Sequence, residues 1–111
     1  MPNLQAMQQR AHAALRRWNG GKPGYLVRNG VKRPATIARG EYSPRERELF
    51  LDGSERFLIA AYKLQVPPDH EQDMILFNGK NYRITAPVKG PRPDGTVMLY
   101  DCPCLYDSEA T

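Results

Sequence analysis

The stretch from Asp73 to Thr85 constrains the fold more than any other. It reads Asp-Met-Ile-Leu-Phe, then Asn78-Gly79, then Lys-Asn-Tyr-Arg-Ile-Thr. Asn-Gly between two apolar runs marks a tight hairpin. A type I′ turn needs positive φ at both central residues, which Asn and Gly adopt at least cost. On the return strand, Tyr82 and Ile84 alternate with Asn81, Arg83 and Thr85, so one face is apolar and the other polar. Met74–Phe77 is apolar throughout, as expected of a strand covered on both faces. Tyr25–Arg28, Asn29-Gly30 and Val31–Arg33 repeat the device, and Ala35–Ala38 is expected to continue that return strand. Leu49–Leu51, a turn at Asp52-Gly53-Ser54 and Arg56–Ala61 form a further expected pair. The last strand is expected over Thr96–Asp101, with Pro103 disturbing it.

No helical pattern lies between these strands, which argues against a parallel sheet. The expectation is a mainly β fold: a small antiparallel barrel or sandwich of about six strands built from hairpins, because closure removes exposed edges. A chain of 111 residues supports one such domain, with about two-thirds of its unfolded surface buried on folding. The expected division is residues 1–20 as an N-terminal helix, 21–107 as the barrel-like domain with an exposed, mobile loop at 40–48, and 108–111 as a frayed tail.

Leu4, Met7, Ala11, Ala14, Leu15 and Trp18 recur at spacings of three and four, with Gln5, Gln8, Gln9, His12, Arg16 and Arg17 between them. This predicts an amphipathic helix over Asn3–Trp18, capped by Asn3 and stopped by Asn19-Gly20-Gly21. Its stripe packs on the barrel or on a neighbouring subunit, with Leu15, Arg16, Arg17 and Trp18 as the candidate interface. The sharper alternative is a phosphate-binding helix using Arg10, Arg16 and Arg17, although the last two already suit a helix C-terminus. In the loop, Ser43, Pro44 and Glu46 match a capping box with proline at the first helical position. Tyr42, Arg45 and Arg47 are its candidate contact residues.

Chemistry-bearing patterns are sparse. His12 falls on the polar face of the helix and His70 in a loop, both expected to be solvated. Cys102 and Cys104 are too close for an unstrained bridge. They lack the second ligand pair of a zinc site and read as free thiols on one strand face, the pattern of small core residues in a cytoplasmic protein. Gly20-Gly21 lacks the phosphate-loop spacing, and Asp69, Glu71 and Asp73 lack the offsets of a calcium loop. No catalytic set, metal or cofactor is expected, and a small enzyme is the least supported class. Met1–Arg17 has no continuous apolar run, so no secretory leader is expected, and no stretch approaches a membrane span. The net charge of +4 suits a nucleic acid or an acidic protein as partner. Lys32, Arg33 and Arg39, with Tyr25 and Tyr42 nearby, form the candidate DNA-facing surface.

Four stretches together resemble the small head-tail joining proteins of tailed bacteriophages and prophages, the head-closure and lambda-type tail-attachment proteins of the neck. They are Tyr42–Arg47, Phe57–Ala61 with Leu64, the Asp73–Ile84 hairpin, and Pro91–Thr96 with Tyr100. The resemblance runs from about Gly24 to Tyr106, and the N-terminal helix departs from it. It implies a barrel-like core with mobile loops and a structural, non-enzymatic role. Monomers would assemble into a ring between the portal or its adaptor and the tail, helping to close the DNA channel and touching packaged DNA non-specifically. It implies the host bacterial cytoplasm during assembly, then the virion neck, with no membrane. The alternative is a stand-alone nucleic-acid-binding barrel, which would bind single strands with steep salt dependence.

Overall fold

Among the described residues seven antiparallel strands form one curled, half-barrel sheet, with a helix near the N-terminus. The computed structural model describes residues 3–90 and 97–110. In chain order the elements are α1 (Leu4–Trp18), β1 (Gly24–Arg28), β2 (Val31–Pro34), β3 (Ile37–Gly40), α2 (Pro44–Arg47), β4 (Glu55–Ala60), β5 (Asp73–Phe77), β6 (Lys80–Ile84) and β7 (Leu99–Glu109). Across the sheet the order is β2-β1-β5-β6-β7-β4-β3. The mainly β expectation therefore holds.

Both Asn-Gly turns form as the residues dictate. Asn29 and Gly30 have φ of 51° and 77°, and Asn78 and Gly79 have 51° and 80°. The outermost strands, β2 and β3, are consecutive in the chain and joined through Ala35-Thr36. The Ala35 N–H donates to Gly24 O (3.0 Å), and Thr36 O accepts from the Ala60 N–H (3.0 Å). One bent segment thus serves both ends of the sheet. Gly24 lies at the closure: a Cβ there would come within 3.0 Å of Ile37 Cδ1 and 3.1 Å of Ala35 O.

The core fills the concave face. Leu26, Ile37, Phe57, Ile59, Ile75, Phe77, Tyr82, Ile84, Cys102 and Cys104 pack there, drawn from every strand but β2. Burial contributes about 1.5–3 kcal/mol for each large aliphatic or aromatic side chain. Both thiols are fully buried and unpaired, so they are core residues as their spacing indicates. Charged groups close both ends of this face. At one end Asp73 meets Arg28 and Arg33; at the other Arg39 meets Glu55 and Tyr82.

The Asn3 side chain caps α1 by accepting from the Gln5 N–H. The helix lies on the convex face, where Leu15 packs with Ala38, Leu58, Ala60 and Leu99. This cover explains why β4 is buried on both faces. The helix rotation departs from the expected stripe. Trp18 overshoots the sheet and is 61% exposed, whereas His12 turns inward and bonds Thr36 Oγ1 through Nε2 (2.8 Å). Gln8 and Gln9 also face the barrel, donating to Val97 O and the Tyr62 hydroxyl. The small residues Ala38 and Ala60 leave little apolar depth, so polar helix residues complete the contact.

Three further expectations are corrected. Leu49–Leu51 is a turn following α2, not a strand, because only Phe50 finds a place to bury. The last strand runs to Glu109, so Ser108 and Glu109 pair with Asn81 and Lys80 instead of fraying, and the Ala110 N–H donates to Gly79 O. Pro103 interrupts nothing. It pairs with Arg56 of β4, and its carbonyl still accepts from the Thr85 N–H (2.9 Å) just past the last β6–β7 pair, so β7 runs through it. The turn-rich connection expected at 91–96, including Thr96, lies outside the described residues.

Candidate interaction site

The loop between β3 and β4 is clamped at its root. Ser43 Oγ accepts from the Glu46 N–H (3.2 Å), and Glu46 Oε1 accepts from the Ser43 N–H (3.1 Å), completing the capping box. These bonds hold the Glu46 carboxyl below its ordinary range. Tyr42 is 6% exposed, which corrects its expected role as a surface contact. Its ring lies against Phe50, with centroids 4.7 Å apart, and under the Arg56 guanidinium at 5.5 Å. Its hydroxyl donates to Asp101 Oδ1 (3.3 Å). Burial, then the Asp101 charge, push this phenol well above its usual range. Arg56 bonds Asp101 Oδ2 through Nε (3.1 Å) and Nη2 (2.8 Å), and its Nη1 donates to Glu41 O. An aromatic ring is buried there because an ion pair on β4 and β7 provides its floor.

With the root fixed, the tip presents Arg45 and Arg47 to solvent, as expected of them. It also presents Leu49 and Leu51, 73% and 57% exposed. Sequence reasoning placed these leucines in a strand. The missed signal was the unbroken charge of Arg45–Glu48 before them, which leaves nothing for a paired strand to pack against.

The expected basic surface does not assemble. Strand alternation sends Lys32 and Arg33 to opposite faces of β2. Lys32 is exposed beside the Tyr25 ring, 5.9 Å from its centroid. Arg33 turns to the concave side and binds Asp73 Oδ1 (3.0 Å). Arg39 lies near the opposite end of the barrel, bonded to the Tyr82 hydroxyl (2.6 Å), paired with Glu55 (3.3 Å) and stacked on Phe57 and Tyr82. Two of the three cations are therefore already matched.

A second feature arises where α1 ends. Asn19 is buried: its Nδ2 donates to Ile37 O (2.9 Å) on the open edge of β3, and its Oδ1 accepts from the Gly21 N–H (2.7 Å). This fixes Trp18 over a cleft of about 180 Å³, lined also by Lys22, Arg39, Phe77, Asn78, Lys80 and Tyr82. Of the helix residues expected at an interface, Leu15 is used internally, while Arg16, Arg17 and Trp18 face solvent. Lys22, Asn78 and Lys80 were missed because the fold alone joins them, from the α1–β1 link and the β5–β6 hairpin.

Among the described residues no group of three or more His, Cys, Asp or Glu is placed to hold a metal ion, and no helix is long and apolar enough to cross a membrane. Burial pushes both thiols far above their usual range, opposite to an activated nucleophile. No family model matches the chain, and no curated protein or solved structure matches it.

Proposed function

We propose that this chain is a structural protein of a tailed-phage or prophage neck. It would assemble as a ring that joins the DNA-filled head, through its portal or adaptor, to the tail, and help to close the DNA channel. Its setting would be the host bacterial cytoplasm during assembly and then the virion neck. The observation that carries this reading is the clamped β3–β4 loop. Tyr42 and Phe50 hold it on the Arg56–Asp101 pair, while Leu49, Leu51, Arg45 and Arg47 all point outward. Exposed leucines on a held loop are the makings of a protein contact. The adjacent arginines suit non-specific contact with a DNA backbone. The resemblance of Tyr42–Arg47 and Asp73–Ile84 to head-tail joining proteins supplies the identity of the partners.

The test is electron microscopy of lysates from an inducible lysogen lacking this gene. Separate filled heads and finished tails, joined when purified protein is added, are expected. Normal joined particles would overturn the reading. Reversing both Arg45 and Arg47 to Glu is expected to lower the yield of infectious particles at least tenfold.

A second reading, a nucleic-acid-binding module, draws on exposed Trp18 beside Lys22 and Lys80. Its signature is single-strand affinity of the purified protein that falls steeply with salt.

A further inference from the structure

We propose that the Trp18 cleft and the Leu49–Leu51 tip are the two halves of one head-to-tail contact, the tip of one copy of this chain entering the cleft of the next. The inference rests on the ring assembly proposed above and names the surfaces that would build it.

The first observation is a charge division along the chain. All twelve acidic residues lie at or after Glu41, whereas eight of the sixteen cations precede it. The first forty residues therefore carry a net charge of +8 and the remainder −4. Part of this is consumed internally: Arg28 and Arg33 by Asp73, and Arg39 by Glu55. Among the described residues Lys22 and Lys80, on the cleft, form no ion pair; nor do Glu48 and Asp52, which bracket the exposed leucines. Charges of the other sign stand nearby: Glu109 lies across the ladder from Lys80, accepting from the Tyr106 hydroxyl (3.1 Å), and exposed Arg45 and Arg47 precede the tip, Arg47 beside Asp52.

The second observation is apolar. Trp18, Leu49 and Leu51 are each more than half exposed. A tryptophan over a recess floored by Phe77 and Tyr82 is the kind of residue that dominates contact energies when covered. The cleft, about 180 Å³, has room for an aliphatic side chain. A leucine flanked by carboxylates suits a recess flanked by Lys22 and Lys80, whose third cation, Arg39, is engaged by Glu55.

The third observation is that the two patches share no residue. The cleft belongs to α1, β3, β5 and β6. The tip follows α2, whose root is held by β4 and β7. Two different complementary patches on one chain make a heterologous contact, which propagates and closes into a ring when the rotation permits.

The native cysteines are buried, so introduced ones can be cross-linked selectively. The experiment pairs Arg17→Cys with Ser54→Cys in one chain, positions beside the two patches that leave Lys22 and Asp52 in place, and treats the concentrated protein with a flexible bismaleimide. A ladder of covalent dimers, trimers and larger species is expected. Either single variant is expected to give no ladder, since one thiol per chain can link no more than two copies. Trp18 is the single tryptophan, so its emission should shift to the blue as concentration rises. Leu49→Ser should abolish both signals. Lys22→Glu or Asp52→Lys alone should weaken association at least tenfold, and together they should restore it.

Larger species in sedimentation that give no ladder and ignore Leu49→Ser would overturn this contact and leave the ring reading standing. A blue shift produced by oligothymidylate but not by concentration would overturn it in favour of nucleic acid. A ladder from this protein, together with normal particles in the gene deletion, would support the contact while removing the neck role.

Discussion

Arg28 and Asp73 stand directly opposite each other on β1 and β5, joined by Nε–Oδ1 and Nη2–Oδ2 bonds of 2.9 and 2.8 Å. The Asp73 side chain is fully buried and also accepts from Arg33 Nη2 (3.0 Å) and the Asp69 N–H (2.8 Å). One carboxylate thus ties the first hairpin to the central one and orders the approach to β5. Removing it strands two guanidinium groups at the end of the core. Asp73→Ala is expected to cost about 3–5 kcal/mol, read as a lower urea midpoint.

The same carboxylate gives a pH dependence of known sign. Burial alone would raise its pKa, but the Arg28 and Asp69 hydrogen bonds, with the charges of Arg33 and Arg28, outweigh it and hold the group below its ordinary value. A depressed folded pKa means stability that is complete above the unfolded value, near pH 4, and lost as pH falls through the folded one. Urea midpoints for the wild type should decline below about pH 4. Asp73→Asn should begin lower and decline less over that window.

The two thiols should be silent. Cys102 and Cys104 have no exposed surface, and burial opposes the thiolate at both. A chromogenic disulfide reagent at neutral pH is expected to react with neither in the folded protein and with both in denaturant. Fast reaction of one thiol without denaturant would show that the concave face is open at β7.

What the sequence made legible follows the range of each interaction. The Asn78-Gly79 and Asn29-Gly30 turns, the Asn3 cap, the Ser43 capping box and the inward pair Tyr82 and Ile84 depend on neighbours within a few residues, and all form as read. Tyr42 and His12 were misplaced because their environments come from distant chain: Arg56 and Asp101 for the first, Thr36 for the second. Arg33 and Arg39 looked like free cations because Asp73 and Glu55, which neutralise them, lie forty and sixteen residues away. A basic segment cannot be read as a basic surface until its counter-ions are placed.

The clamp under the β3–β4 loop predicts a graded pair of variants. Tyr42→Phe keeps the ring on Phe50 and loses only a long hydroxyl contact, so its cost should stay within about 1 kcal/mol. Tyr42→Ala empties the space between Phe50 and Arg56 and should cost about 3–5 kcal/mol in global stability. Amide exchange across Glu41–Ser54 should rise in the alanine variant and stay near wild type in the phenylalanine variant. Equal costs for the two would mean that the hydroxyl, and not the ring, holds the loop.

His12 makes α1 sensitive to mild acid. Its ring faces the Thr36 hydroxyl and the Tyr62 ring, whose centroid is 5.3 Å away, with Arg16 on its own helix and Lys63 beyond Tyr62. Burial, followed by the charges of Arg16 and Lys63, lowers its pKa from the ordinary imidazole value near 6.5. The undocked helix binds the proton more readily than the docked one. Docking is therefore strongest above about pH 6.5 and weakens as pH falls from there through the docked pKa. Only Leu15 of this helix is fully buried, so little apolar packing compensates. Amide exchange in α1, corrected for intrinsic rates, should lose protection between pH 7.5 and 5.5, while β4 and β7 keep theirs. His12→Gln retains a hydrogen-bonding group toward Thr36 without the titration and should show no such loss. Equal loss in both proteins would assign the pH response to a group other than His12.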